Sequence, residues 1–332
     1  MSNSYLGTLD RRDPLYEILI DKVCPDVHDP RFHVRRLSSS NVYHYTEEST
    51  RIAIIGKFFR LDDNRAERVS RIQGEYDNLL AVRGYGFSGS PNYVVRPITR
   101  DFRVGLALVA EYIEGKDLDH FIRAAICRGE NGLLKKKLAR LGSFLHALHA
   151  RTITPRAVRA EPLFDYFIKI VDKLGRQTLL DGDGRHRLVH LAETWLNRDL
   201  FHGLNGSLVH GDATPTNFLF PEGGDIVAID LERMKETDMA YDVGMVCGEL
   251  KHAFLWRTAN PQSAEPFIRH FLDVYAGHFP DAGGAFRAIT ARNPFYMAMA
   301  ELRIARNEYL QWEYRKRLVH EASECLRWGL KL

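Results

Sequence analysis

His210-Gly211-Asp212 is followed by Asn217, giving H-x-D-x-x-x-x-N, and thirteen residues later by Asp230 at the end of the apolar run Ile226-Val227-Ala228-Ile229. These residue types suit phosphoryl transfer. That reaction needs a carboxylate to orient an acceptor hydroxyl and take its proton, and oxygen ligands to hold magnesium against nucleotide phosphates. Asp212 fits the first task, with His210 grouped beside it as a catalytic residue. Asn217 and Asp230 fit the second. Each part has a plainer reading: Gly and Asp favour bends, an Asn closes turns, and an Asp often follows a strand. The joint order and spacing favour the chemical reading.

Such a loop must be positioned, and the chain has the material to do it. With 332 residues, 45% hydrophobic and 27% charged, it can bury the cores of two domains. The formal net charge is 46 − 43 = +3, too small a field to suggest nucleic acid as a partner. Cys24, Cys127, Cys247 and Cys325 are scattered, with no C-x-x-C pair, so neither a disulfide framework nor a zinc site is expected. The N-terminus lacks the apolar core of a signal peptide and no run approaches a membrane span, so a cytoplasmic protein is expected.

The first third reads as strands, at 32–34, 41–45 and 51–59, then at 93–95 and 105–112. One helix is predicted over 64–82, with Val69, Ile72, Tyr76, Leu79 and Leu80 at helical spacing. After Gly115 the pattern turns helical, over 133–149, 163–174 and 186–195, and again in the last third. There Met297, Leu302, Ala305, Tyr309, Trp312 and Leu318 are candidates for burial. The arrangement is α+β, with a β-rich N-terminal lobe over 1–113 and a mainly helical lobe over 114–332.

Lys57, near the end of the third strand-like run, is the expected phosphate contact, and a buried lysine needs a carboxylate partner. Glu75 on the following helix is the expected one, with Glu67 the runner-up. Ser38, Ser39 and Ser40 form a turn that either presents N–H groups and hydroxyls to a phosphate or is an ordinary hairpin. Glu111 and Ile113 lie where backbone groups of a hinge would meet a purine base. Asp242 opens a helix, as an N-cap or as a brace for the catalytic loop. The histidine pairs 146/149 and 186/190 lack H-E-x-x-H and a third ligand, so core or surface roles are expected. Asp181-Gly182-Asp183-Gly184 departs from a calcium loop and reads as a tight interhelical turn.

Together, LVHGDATPTNFLF and VAIDLERMKETDMAYDVG resemble the aminoglycoside phosphotransferase-like family, which includes choline and ethanolamine kinases. The hinge LALVAEYIEGKDL and the helix LARLGSFLHALHA are similar to it too, so the resemblance covers about 41–250. It implies a protein-kinase-like two-lobed fold, Asp212 as base, Mg²⁺ held by Asn217 and Asp230, and ATP or GTP as co-substrate. It also implies an acceptor cleft between a helical insert at about 152–205 and the C-terminal helices. Leu231 and Ala213 depart from the residues common in the family. Only eleven residues separate Asp230 from Asp242, and there is no Ala-Pro-Glu, so a regulated protein kinase is disfavoured and a small-molecule hydroxyl acceptor expected. A nucleotide-binding pseudokinase scaffold and a protein or cell-envelope polysaccharide kinase are the alternatives. The cleft segments carry Glu161, Asp165, Asp199 and Glu301 against Lys169, Arg198, Arg303 and Arg306, which leaves the acceptor's charge open.

Overall fold

The computed structural model describes residues 4–37, 41–59 and 66–331. The Ser38–Ser40 turn lies outside them. So do the side chain of Glu67 and those of Val69 and Ile72. The chain divides into two compact units, Met1–Gly115 with Pro221–Arg233, and Lys116–Phe220 with Met234–Leu332.

The first unit is built on strands β1 (Ser4–Thr8), β2 (Phe32–Arg36), β3 (Val42–Glu47), β4 (Ala53–Phe58), β7 (Pro97–Asp101) and β8 (Leu106–Glu111). They form one antiparallel sheet in the order β1-β2-β3-β4-β8-β7. Side chains alternate across a strand. Gly56 faces Tyr45, whose ring lies 2.9 Å from where a Cβ would sit, so Lys57 points to the opposite face. The Tyr45 face is covered by helix α1 (Pro14–Val23), which the strand-rich reading of this region did not anticipate. Its start is written locally: Asp13 accepts from the Leu15 N–H at 2.9 Å, and Pro14 begins the helix. Leu15, Tyr16 and Leu19 then pack in one core with Phe32, Val34, Tyr45 and Ile54.

Helix α2 (Ala66–Gly84) follows β4. It turns Glu75, Leu79 and Val82 inward, but leaves Leu80 exposed, because 80 is a full residue rotation from the 75/79/82 face. Two short strands come next, β5 (Ser88–Gly89) and β6 (Asn92–Val94). Strand β12 (Ile226–Ala228) pairs in parallel with β6, Ala228 opposite Val94. This ladder makes Pro221–Arg233 part of the first unit.

The second unit holds α3 (Leu118–Arg128), α4 (Asn131–Arg151), α5 (Glu161–Arg176), α6 (Gly182–Leu196), α7 (Ala240–Thr258), α8 (Glu265–Ala276), α9 (Ala282–Ala305) and α10 (Trp312–Gly329). Two small antiparallel ladders accompany them. One joins β9 (Lys116–Asp117) to β11 (Phe218–Phe220), the other β10 (Ser207–Val209) to β13 (Lys235–Thr237). The aspartate-glycine segment is a helix start: Asp181 accepts from the Gly184 N–H at 2.6 Å and caps α6. Met297, Leu302, Ala305 and Leu318 are buried as expected. Tyr309 is not, at 83% exposed, and Trp312 is also exposed. Both fall at the break between α9 and α10, where the helical period that suggested burial does not run.

Helix α7 is the axis of this unit, buried over most of its length. Its closeness to α9 depends on two glycines. A Cβ at Gly244 would overlap the Cβ of Tyr296, and one at Gly248 would stand 2.5 Å from the Cβ of Ala300. Gly244→Ala is therefore expected to destabilise the protein by about 2 kcal/mol, because two packed helices must move apart. Urea unfolding checks this; an unchanged midpoint would show that the helices can yield.

Candidate active site

In the first unit the sheet and α2 bring four charged side chains to one point. The Lys57 ammonium donates to Glu75 Oε2 at 2.7 Å, to Asp230 Oδ1 at 3.0 Å and to Glu232 Oε2 at 2.9 Å. Burial works to strip the Lys57 proton, but the three carboxylates outweigh it and hold its pKa above the ordinary lysine range. Burial pushes the Glu75 carboxyl up, to about 7, against the pull of Lys57. One ammonium does not neutralise three carboxylates, and Glu75, only 2% exposed, is the costliest to keep charged.

Asp230 reaches this point from the end of β12 through a left-handed residue, φ 61°. A non-glycine residue is uncommon there, and such strain clusters at functional sites. The next residue, Leu231, is buried, and its carbonyl accepts from Asn78 Nδ2 at 2.8 Å. Carboxylate oxygens of Glu75, Asp230 and Glu232 all lie within 4.8 Å of one another. Hard oxygen donors so grouped fit a magnesium ion better than a soft metal. Sequence reading missed Glu232, two residues beyond Asp230, because the left-handed turn at Asp230 that brings both carboxylates to Lys57 has no local signature in the sequence.

At the end of β8, where a hinge was expected, the Glu111 side chain accepts from the Tyr93 hydroxyl and the Arg96 N–H, both at 2.6 Å. Its carboxylate thus fixes local structure. Ile113 lies just past β8, half-buried.

In the second unit the H-x-D-x-x-x-x-N motif, residues 210–217, joins β10 to β11. Gly211 has φ 79°, a conformation that glycine takes without strain. The turn is held from beneath by Asp242, fully buried, which accepts from the His210 N–H at 2.6 Å and the Gly211 N–H at 3.0 Å. Asp242 is not the N-cap of α7. It is the third helical residue; Met239 holds the N-cap position, and Asp238 just before it accepts from the Ala240 N–H at 3.0 Å. His149 Nε2 lies 3.1 Å from Asp242 Oδ2, and its Nδ1 meets the Tyr275 hydroxyl at 2.7 Å. The 146/149 pair therefore splits: His149 is a core brace, while His146 stacks on His278. No sequence signal marked His149, because its partners lie 93 and 126 residues away.

His210 is fully buried, with its ring 5.1 Å from that of Phe218, and its Nδ1 accepts weakly from the Asp212 N–H at 3.4 Å. Asn217 Nδ2 donates to the Asp212 carbonyl at 2.9 Å. Ala213 is buried beneath the loop. The Asp212 carboxylate itself takes a bond of 2.5 Å from Arg303 Nη2 on α9, which sequence reading had placed only among the cleft charges.

No helix among the described residues is long and apolar enough to cross a membrane. The phosphotransferase enzyme family (APH) matches residues 33–282. A search of curated proteins returned no match. Among solved structures, the chain is similar to a gentamicin complex of APH(2")-IIa at 16% identity and TM-score 0.59, covering 96% of this chain and 98% of that one. It is similar to Plasmodium vivax ethanolamine kinase at 13% identity and TM-score 0.61, over 96% and 86%. It is also similar to the choline kinase LicA from Streptococcus pneumoniae at 18% identity and TM-score 0.53, over 94% and 99%. Such identities speak for the fold, the two-lobed, protein-kinase-like α+β architecture. By the family match across most of its length, the chain belongs to the phosphotransferase enzyme family.

Proposed function

We propose that the protein transfers the γ-phosphate of ATP or GTP to a hydroxyl of a small molecule. The observation that carries this reading is the Lys57 cluster, in which residues 18, 173 and 175 positions away converge on one ammonium. A lysine and a helix glutamate paired beside a strand-end aspartate are what nucleotide phosphates and their magnesium require. Lys57 would bind the phosphates, with Glu75 holding its ammonium in place, and the backbone of 111–113 would meet the base.

Asp230 and Glu232 would hold magnesium, together with Asn217, whose assignment rests on the motif's order and spacing. Bound there, the ion would neutralise charge on the phosphates and polarise the bond to be broken. Asp212 would orient the acceptor hydroxyl and take its proton as the new O–P bond forms and the nucleoside diphosphate leaves. His210, buried beneath the loop, would position Asp212 without touching the reacting atoms. The site is built for small acceptors, since the chain between Asp230 and Asp242 is too short for an activation segment. The structural neighbours named as ethanolamine and choline kinases and as aminoglycoside phosphotransferases support the same class.

An acceptor screen followed by nucleoside diphosphate release tests this. Turnover with at least one hydroxyl compound is expected. Nucleotide binding with no transfer to any acceptor would sink the proposal and leave a binding scaffold.

A further inference from the structure

The charges that sequence reading placed in the acceptor cleft separate in the fold. Glu301 is fully buried and faces Lys251 at 3.2 Å. Arg198 donates to the Gly329 carbonyl at 2.7 Å. Arg303 is turned to the proposed base, its Nη2 2.5 Å from Asp212 Oδ1, with its side chain 10% exposed. Its Nη1 lies 3.7 Å from the sulfur of Met245, which is fully buried on α7. Both contacts are with the protein itself, so this guanidinium belongs to the support of the 210–217 loop. A charge so buried is costly without a partner, and a planar guanidinium holds a carboxylate in few orientations.

The helices that carry these contacts are locked together. On α9, Tyr296, Ala300 and Arg303 stand at i, i+4 and i+7, on one face of the helix. That face meets α7 where α7 has no side chain: a Cβ at Gly244 would overlap the Cβ of Tyr296, and one at Gly248 would stand 2.5 Å from the Cβ of Ala300. Helix α7 also carries Asp242, which accepts from the His210 and Gly211 N–H groups. So α7 holds the backbone of the loop at 210–211, α9 holds the side chain at 212, and the two glycines set the distance between those holds. A base must lie within hydrogen-bond reach of the proton that it takes, and a misplacement of about 1 Å can cost roughly 10²-fold in rate.

We infer that Arg303 is a positioning residue for the transfer: it fixes the Asp212 carboxylate through Oδ1, and the α7–α9 contact at Gly244 and Gly248 sets the aim. This rests on the kinase reading above. Arg303 acts on the reaction through Asp212, so its loss falls on kcat and not on the KM of either substrate.

In the test, diphosphate release is followed with choline, ethanolamine, glycerol, glucose and gentamicin as acceptors, against an Asp212→Asn blank, and the fastest acceptor is used throughout. Arg303→Gln, which removes the charge, should lower kcat by roughly 100-fold, and Arg303→Lys, which keeps the charge but lacks the planar fork, by roughly tenfold. The KM values of nucleotide and acceptor should stay within about twofold. Gly248→Ala, which brings no polar group, should lower kcat by roughly tenfold by parting α7 from α9. In the Arg303→Gln background the same change should cost less than about twofold, because the aim that it disturbs is already lost. Each kcat is expressed per folded protein, from melting curves. Should Arg303→Gln not fold, Arg303→Lys takes its place in the cycle, where losses that fail to multiply support the inference. An unchanged kcat in the Arg303 variants, a loss confined to the acceptor's KM, or losses that multiply in the double variant overturn it and leave the kinase reading standing. No release by the wild type with any acceptor removes both.

Discussion

Asp212→Asn is expected to lower kcat by about 10³-fold, the loss typical of removing a positioned general base, with nucleotide affinity little changed. The reason for the separation is structural. The side chains proposed to hold nucleotide, Lys57 and Glu75, belong to the first unit, and Asp212 belongs to the second. An amide at 212 keeps the shape of the carboxylate but accepts no proton at neutral pH. It also leaves Arg303, with its side chain 10% exposed, without its ionic partner, so some stability should be lost as well. Steady-state kinetics with a competent acceptor, a nucleotide titration and a melting curve on the same preparation separate the three effects. Equal turnover by the two proteins would remove Asp212 from the reaction.

Asp242→Ala is the second large effect, and it is on folding. The carboxylate is fully buried and accepts from the backbone N–H groups of His210 and Gly211 as well as facing His149. Deleting it strands those donors out of water and should cost about 3 kcal/mol. Asp242→Asn should cost less, since its carbonyl can still accept one of the bonds. Burial alone would raise the Asp242 pKa, but the His149 bond, the fields of His149 and His210 and the Gly211 N–H hold it below the usual carboxylate value. A group with a depressed folded pKa stabilises the fold above its unfolded value, about 3.9, and loses that contribution as pH falls through the folded one. Urea unfolding from pH 7 down to pH 2 should therefore show a shallower acid loss in Asp242→Ala than in the wild type. Parallel curves would mean that Asp242 carries no such linkage.

Reading of the sequence was most reliable where chemistry is local. The H-x-D-x-x-x-x-N spacing, the strand before Asp230 and the strand carrying Lys57 are all written within a few residues, and β3, β4 and β8 lie where their β-branched runs placed them. Glu75 was found because a helix position after such a lysine strand is constrained by what a buried ammonium needs. Helix α1 escaped because its apolar positions, Leu15, Tyr16 and Leu19, span fewer than two turns, too short for a period to declare itself. Tyr309 and Trp312 misled for the converse reason: a period was carried across a break.

The sequence by itself determined the reaction class, because phosphoryl transfer leaves its residue types in one short, ordered stretch. It also determined the α+β division, because strand and helix periods are local properties of the chain. Only the tertiary structure decided that Glu232 joins Lys57, that His149 supports Asp242 from the core, and that Arg303 faces Asp212 while Glu301 is spent on Lys251. The choices at His149, Arg303 and Glu301 depend on which faces of α4, α7 and α9 turn toward one another. That is settled by packing around glycines such as Gly244 and by the cost of burying a charge without its partner.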